Sequence, residues 1–576
     1  MRRSGQVLTD IKHGGRVLES NAAEADRLAQ TQESINTVPN VVGTEEVTFE
    51  TPFDYLFTEL ESDTTAHLPA TDPATVVAAL KALGDAMVED AVPGEDPLQP
   101  AGNSTIPPVY TYWGQFIDHD LTANTDRNSE ISDITRPDLA PLAPDFVVAN
   151  LKNLRQPTLN LDSVYGDGPT LGSSTPTQAA SFYDGVKLKV GTAATENESI
   201  DPSRPTIAGV RIPPDGDLQR DLPRTNKTAQ IADARNDENL IIAQLHTAFL
   251  RFHNKVVDWV QANEADYNTS ETQIFERAQQ LTRWHHQWLV VNDYLKTVTL
   301  AGVADKVLLG GLKYYKPSGE PFMPLEFSVA AYRFGHTMVR ATYDYNRNFG
   351  RAVSGQAQAP LIPNAPFNLL FAFTGDGFPT PFIGQTDRLP FNWIIEWDRF
   401  IDKGSSVSDH FARKIDTRIA PPLQAMVNQG NAVTDVDIQA ILKGLARRNL
   451  LRGYLLSIPT GQSVAQCIGV APLSVSELQQ GNSAALNQVL SDNGFLQQTP
   501  LWYYVLKEAE VRANGNSLGE LGSRIVCETI IGQLRHDPEC YLSQAGGWDP
   551  GKGAKMPNGD PIVTIGDFIR FAGIPA

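Results

Sequence analysis

Apolar residues recur at three- and four-residue spacing along most of the chain after Phe49, a period typical of buried or amphipathic α-helices. Strand-like alternation is rare and short, and loops rich in Gly, Pro, Asn and Asp cover about 135–225 and 345–390. The pattern therefore predicts a mainly α fold with few short strands and long loops. The predicted helices are residues 71–84, 107–122, 236–262, 270–298, 325–340, 434–456, 474–492 and 500–511.

The domain organisation follows from where this pattern begins. Residues 1–45 are polar with little hydrophobic periodicity, and they are predicted to form an N-terminal arm. A length of 576 residues would suit about four average domains. The helical pattern nevertheless crosses residues 46–576 without a linker, which favours one large α-helical domain.

Composition excludes several classes of function. The net charge of −20 argues against nucleic acid as a partner, because an anionic surface repels phosphate. No apolar run approaches the roughly 18 residues of a membrane span, so no span is expected. Cys467, Cys527 and Cys540 match no zinc spacing, and buried thiols are favoured over a Cys527–Cys540 bridge.

The first segment with candidate chemistry lies in the predicted helix 107–122. Gln115, Asp118 and His119 stand at i, i+3 and i+4 and therefore share one helix face, whereas Asp120 points elsewhere. Two interpretations of this face are open when it is taken alone. It is either a hydrogen-bonded cluster in a core helix, or a functional site that combines an imidazole, an amide and a carboxylate.

A second segment places Arg235 and Glu238 three residues apart, just before a long apolar helix. Alone, they would form a surface ion pair of little energetic value. Beside a histidine, Arg235 could instead stabilise negative charge on a leaving oxygen. His246 and His253 have no acidic or cysteine partner at ligand spacing, so a metal site there is not favoured.

Two further segments pair a histidine with possible supports. Gly335 precedes His336 in an apolar segment, and a glycine beside a histidine permits close approach of a flat ligand. Asn449 and Arg452 lie on another apolar helix, where Asn449 could orient His336 through its Nδ1–H. A buried, satisfied core histidine is the alternative for His336.

Taken together and in this order, the segments resemble the animal-type haem peroxidase family of the peroxidase–cyclooxygenase superfamily, in a bacterial-like form. The resemblance runs from about Phe49 to the C-terminus. Its four motifs are Gly114–Asp120, Arg235-x-x-Glu238 with the helix that follows, Tyr332–Thr337 and Asn449–Gly453.

The resemblance implies a role for each residue at the reacting centre. His336 would be the axial ligand of the haem iron, with Asn449 hydrogen-bonded behind it. His119 would move a proton between the two oxygens of peroxide, as general base and then general acid. Arg235 would stabilise the charge that develops as the O–O bond breaks, and Gln115 would hold distal water or a small anion.

Other residues would hold the haem b itself. Arg333 and Arg452 would pair with its propionates by charge-assisted hydrogen bonds. Asp118 and Glu238 match the carboxylates that form ester links to haem in this family. A sulfonium link needs a Met after the Glu, and Asn239 stands there, so that link is expected to be absent.

The resemblance also implies calcium. Asp120 matches one calcium ligand, and the loop before Val-Tyr-Gly would supply the rest from Thr158, Asn160 and Asp162. Oxygen ligands are kept at these positions although one charge has moved, and calcium coordination tolerates such changes.

Function follows as an expectation. Fatty-acid dioxygenases of the superfamily carry a radical-forming Tyr three residues before the proximal His, and here that position is Arg333. A peroxidase that reduces hydrogen peroxide and oxidises a small donor, phenol or halide, is therefore favoured over a dioxygenase or a non-catalytic adhesion protein. Few cysteines and no visible secretory signal suit a bacterial protein, exported without a cleaved signal or kept inside.

Overall fold

The computed structural model describes most of the chain after residue 50. The described residues are 51–89, 102–126, 131, 133–153, 155–166, 168–169, 171, 181–195, 216–352, 359–374, 388–407, 410–427, 429–431 and 433–576. The predicted N-terminal arm, 1–45, lies outside them.

Helices dominate the described residues, which confirms the predicted mainly α class. The α-helices of seven or more residues are Pro73–Ala86, Val109–Leu121, Pro144–Asn150, Leu240–Asn263, Glu271–Leu289, Val303–Gly310, Val436–Lys443, Leu445–Leu455, Gly461–Cys467, Ala484–Asp492, Leu501–Ala513, Glu520–Arg535 and Ile565–Phe571. Shorter α-helices are Asp162–Tyr165, Leu295–Val298, Leu325–Val329, Asp398–Ile401 and Val475–Gln479.

Several predicted helices begin where capping chemistry places them. Asp72 accepts a hydrogen bond from the main-chain N–H of Thr75 and starts the first long helix, with Pro73 in its first turn. Asn239 caps Leu240–Asn263 in the same way. The helix Glu520–Arg535 was not among the predictions.

Three predicted helices are interrupted. The prediction of one helix over 325–340 is wrong: an α-helix ends at Val329, Ala330 leaves helical geometry (φ −130°, ψ −77°), and a 3-10 helix spans Ala331–His336. The helix predicted over 434–456 breaks at Gly444. The helix predicted over 474–492 breaks after Gln479, because Gln480 leaves helical geometry (φ −62°, ψ 131°) and Gly481 follows with φ +73°.

The helix predicted over 270–298 is continuous in path but changes type. Glu271–Leu289 passes into a π-helical turn, Val290–Tyr294, before Leu295–Val298. Asp293 of this turn accepts a 2.6 Å hydrogen bond from the hydroxyl of Tyr110, so the wider turn is tied to the helix Val109–Leu121.

Strands are few and short, as predicted. One four-stranded sheet has the order Asn124–Asp126, Leu151–Asn153, Thr51–Asp54, Met323–Pro324. Thr51 pairs antiparallel with Asn153, and Phe53 pairs parallel with Met323. Two-residue strands form two hairpins, Tyr183–Asp184 with Lys187–Leu188 and Arg224–Thr225 with Thr228–Ala229. Thr342–Tyr343 pairs antiparallel with the more distant Ala365–Pro366.

Buried apolar side chains from Phe53 to Ile574 form one contiguous core cluster. Cys527 and Cys540 are buried free thiols within it, as expected. Among the described helices, none is both long and apolar enough to cross a bilayer.

Candidate active site

The helix Val109–Leu121 presents one narrow face to open space. Every side chain in it is buried except those of Gln115 and Asp118, which are three residues apart. The adjacent Gly114 permits close packing, because a Cβ there would lie 2.5 Å from the hydroxyl oxygen of Tyr294. The predicted site face is therefore formed by Gln115 and Asp118, with His119 buried beside them.

His119 is tied to the segment that carries Arg235. Its Nδ1 lies 2.8 Å from Oδ1 of Asn236, which follows Arg235 in the 3-10 helix Ala234–Asp237. The Arg235 guanidinium donates to the main-chain oxygen of His119 at 2.7 Å and to that of Thr122 at 2.8 Å. Arg235 thus donates to two main-chain carbonyl groups at the C-terminal end of the helix Val109–Leu121.

Arg235 does not form a surface ion pair with Glu238; it is buried and its ionic partner is Asp233. Asp233 also accepts a hydrogen bond from the buried Arg155. These two guanidiniums hold the pKa of Asp233 far below its usual range despite burial. Sequence reasoning missed Asp233 and Arg155, since neither lies at helical spacing from a motif residue.

Gln115 and Glu238 meet at the same open space. Nε2 of Gln115 donates to Oε1 of Glu238 at 3.1 Å, and Asn239 donates to Oε1 of Gln115 at 3.2 Å. Gln115, Asp118 and Glu238 are all half-buried, so the structure brings together three side chains that the two motifs supply.

The segment that carries His336 packs against the helix Val109–Leu121. Arg333, Gly335 and His336 are half-buried in a 3-10 helix that contacts Val109–Leu121. Nothing lies within 4 Å of where a Cβ of Gly335 would stand. The open space beside His336 therefore agrees with the predicted approach of a flat ligand.

Asn449 contacts His336, with its amide Nδ2 2.9 Å from Nδ1 of the ring. A 180° rotation of the Asn449 amide exchanges the positions of Oδ1 and Nδ2. With Oδ1 toward the ring, Asn449 accepts Nδ1–H, and the lone pair of the His336 ring is then on Nε2.

Three arginines gather near this space. Arg448 and Arg452 are buried on Leu445–Leu455, and burial together with the charge of Arg452 lowers the pKa of Arg333. Burial and these like charges lower the pKa of Arg448 to about 9. Sequence reasoning missed Arg448: the neighbouring Arg447 points outward to Asp85, whereas Arg448 points inward.

The predicted calcium ligands are already hydrogen-bonded. Asp120 accepts from Leu161 N at 3.0 Å, Ser163 N at 3.3 Å and Ser163 Oγ at 3.1 Å. Burial and the nearby Asp162 raise the pKa of Asp120 to about 6.

The other predicted ligands are engaged as well. Asn160 Oδ1 accepts from Asp162 N at 3.2 Å, and the Thr158 carbonyl accepts from Gln287 at 3.2 Å. Among the described residues, no group of three or more His, Cys, Asp or Glu could hold a metal ion. The calcium site stays a prediction.

Part of the chain matches a known protein family. Residues 158–367 match the family model for animal haem peroxidase. A peroxidase-like protein of Margaritifera margaritifera is 26% identical over 269 residues, 41% of this chain and 32% of that protein. Thyroid peroxidase of Mus musculus is 30% identical over 119 residues, 20% of this chain and 13% of that protein.

The fold is also found in a solved structure. Peroxidase A from Dictyostelium discoideum superposes with a TM-score of 0.51 at 15% identity, covering 85% of this chain and 88% of that chain. Residues 158–367 are therefore similar to the animal haem peroxidase family, and the fold of the chain is similar to that of a peroxidase. The chain spans 32% and 13% of the two curated relatives above, so their full activities are not carried over to it.

Proposed function

We propose that the protein is a haem peroxidase that reduces hydrogen peroxide and oxidises a small donor, phenol or halide. One observation carries the proposal: two histidines, each with an asparagine at its Nδ1, belong to segments that contact each other. His119 is paired with Asn236, and His336 is paired with Asn449.

The residues present fit a haem. Its flat ring suits the space left beside Gly335, and its two carboxylates would offset the repulsion among Arg333, Arg448 and Arg452. His336 would hold the iron through Nε2. Bound there, haem would supply the redox-active iron at which peroxide is reduced.

The chain's own residues would handle the protons. Nδ1 of His119 is engaged by Asn236, so its Nε2 is the atom that would take a proton from peroxide and return one to the departing oxygen. Arg235 would place positive charge beside this centre while fixing the backbone of His119. Gln115, tied to Glu238, would orient water or a small anion.

Asp118 and Glu238 are further proposed to form ester links to the haem. Both are half-buried at the edge of the open space, and Glu238 is held in place by Gln115. Asp118 also lies close enough to Arg333 for their charges to interact.

The test is peroxide-dependent turnover of a phenolic dye and of iodide and bromide by the haem-loaded protein. Replacing His119 with Leu should lower the peroxide rate constant by about 10²- to 10⁴-fold while the Soret band remains. Replacing His336 with Ala should change the haem spectrum. The exposed His536, replaced with Gln, serves as the matched control and should change neither.

Two results would contradict the proposal. Equal peroxide rate constants in the wild type and the His119→Leu variant would show that His119 does not transfer the proton. Oxygen uptake with an unsaturated fatty acid, without added peroxide, would indicate a dioxygenase instead.

A further inference from the structure

A buried chain of three polar side chains runs away from the site. Nδ1 of His119 is 2.8 Å from Oδ1 of Asn236, and Nδ2 of Asn236 is 2.9 Å from Nδ1 of His246. All three residues are at most 1% exposed. The sequence predicts no role for Asn236, and it does not favour a metal site at His246.

The amide dictates which nitrogen carries the proton in each ring. Its oxygen can only accept and its nitrogen can only donate. With Oδ1 toward His119, that ring carries its proton on Nδ1 and has its lone pair on Nε2. With Nδ2 toward His246, that ring has its lone pair on Nδ1 and its proton on Nε2.

The opposite amide orientation would be incompatible with a proton-accepting His119. An imidazole that has taken a second proton donates from both nitrogens. If Nδ2 faced His119, the amide hydrogens would then meet Nδ1–H. Only Oδ1 at this position lets Nε2 of His119 gain and release a proton without breaking the contact.

His246 is suited to hold the amide in that orientation. It lies on the helix Leu240–Asn263, where the ring of Phe116 is 6.1 Å away, centroid to centroid. Burial lowers the pKa of His246 to about 3, although Asp233 opposes this effect. A histidine that stays neutral keeps an acceptor at Nδ1 through the whole neutral pH range.

We propose that Asn236 and His246 are positioning residues that hold His119 in the Nδ1–H tautomer. His246 fixes the amide of Asn236, and Asn236 fixes the ring of His119. The two supports are themselves anchored, because Asp233 caps the turn that carries Asn236 and Asn239 caps the helix that carries His246. The proposal rests on the proposed function and adds the residues that prepare its proton shuttle.

The direct test needs no turnover. The full-length protein, labelled with ¹⁵N-histidine and purified without added haem, is examined by ¹⁵N–¹H NMR, with His119 assigned from the His119→Gln variant. The expected spectrum shows protonated Nδ1 and bare Nε2 in His119, with the reverse in His246. A proton on Nε2 of His119 in the wild type would overturn the proposal.

Matched variants separate positioning from folding. His246→Leu removes the acceptor and should give a mixture of His119 tautomers, whereas His246→Asn keeps an acceptor near Nδ1 and should retain the wild-type tautomer. Asn236→Leu should behave as His246→Leu does. Identical His119 spectra in His246→Leu and the wild type would contradict the proposed chain.

Kinetics give the second readout. In haem-loaded His246→Leu, the peroxide rate constant should fall about 10- to 100-fold, with donor KM unchanged and recovery in His246→Asn. Equal losses in both variants would indicate a structural role and overturn the positioning role. If His119→Gln left peroxide turnover unchanged, the proposed function would fail while the NMR result still decided the tautomer.

Discussion

Nη2 of Arg235 lies 2.7 Å from the main-chain oxygen of His119, so a buried guanidinium fixes the backbone of the distal histidine. The same guanidinium bonds to Thr122 and Asp233, and Asp233 is shared with Arg155. A residue that the sequence singled out for its charge is therefore also a structural clamp.

Replacing Arg235 should lower the free energy of unfolding. Arg235→Gln leaves Asp233 with a single cation and two carbonyl groups without their donors, so the free energy of unfolding should fall by about 3 kcal/mol. Arg447→Gln, which breaks the exposed pair with Asp85, is the control and should cost less than about 1 kcal/mol. Denaturant unfolding measures both, and equal losses would contradict the clamp.

The charge of Asp233 should make stability pH-dependent in one direction. Its pKa is lowered in the folded protein, so its contribution is present above the unfolded value near 3.9 and is lost as pH falls toward the folded value. The unfolding free energy of the wild type minus that of Asp233→Asn should shrink by up to about 1.4 kcal/mol per unit below pH 4. A constant difference between pH 5 and pH 3 would refute this.

Arg448 should affect the free and haem-bound protein in opposite directions. Arg448→Gln relieves repulsion with Arg333 and Arg452, so it should stabilise the haem-free chain by about 1 kcal/mol. It should also weaken haem binding about tenfold or more, because a charge-assisted hydrogen bond is lost. Thermal unfolding measures the stability, and Soret titration measures the haem affinity. The control variant Arg447→Gln should leave haem affinity unchanged. A loss of both stability and haem affinity in Arg448→Gln would contradict the role assigned to Arg448.

Ester links predict a distinctive extraction pattern. Denaturing acid extraction should leave haem on the wild-type chain and on each of Asp118→Asn and Glu238→Gln, because one link remains in each. The double variant should release it. Haem that separates freely from the wild type would rule out attachment at these positions.

Calcium should have little effect on stability. The oxygens of Asp120, Asn160 and Thr158 already accept protein hydrogen bonds. The unfolding free energy in excess EGTA should therefore lie within about 0.5 kcal/mol of that in millimolar calcium. A site filled at a hundredfold excess over its Kd would instead add about 2.7 kcal/mol, and that result would restore the calcium prediction.

Local spacing determined much of the site in advance. Gln115 and Asp118 share a face because residues three apart on a helix always do, and capping residues placed the starts of several helices. The continuous helix predicted over 325–340 failed because apolar periodicity does not distinguish an α-helix from a short helix followed by a 3-10 turn.

The sequence alone thus determined the mainly α class, and it singled out His119, His336 and Asn449, since each of these depends on local period or on ordered motifs. Only the tertiary structure decided which charges turn inward. Arg447 and Arg448 are neighbours, yet one reaches Asp85 and the other the buried arginine cluster. Likewise, His119 meets Asn236 across 117 positions, and such a contact depends on how helices pack, which no local pattern encodes.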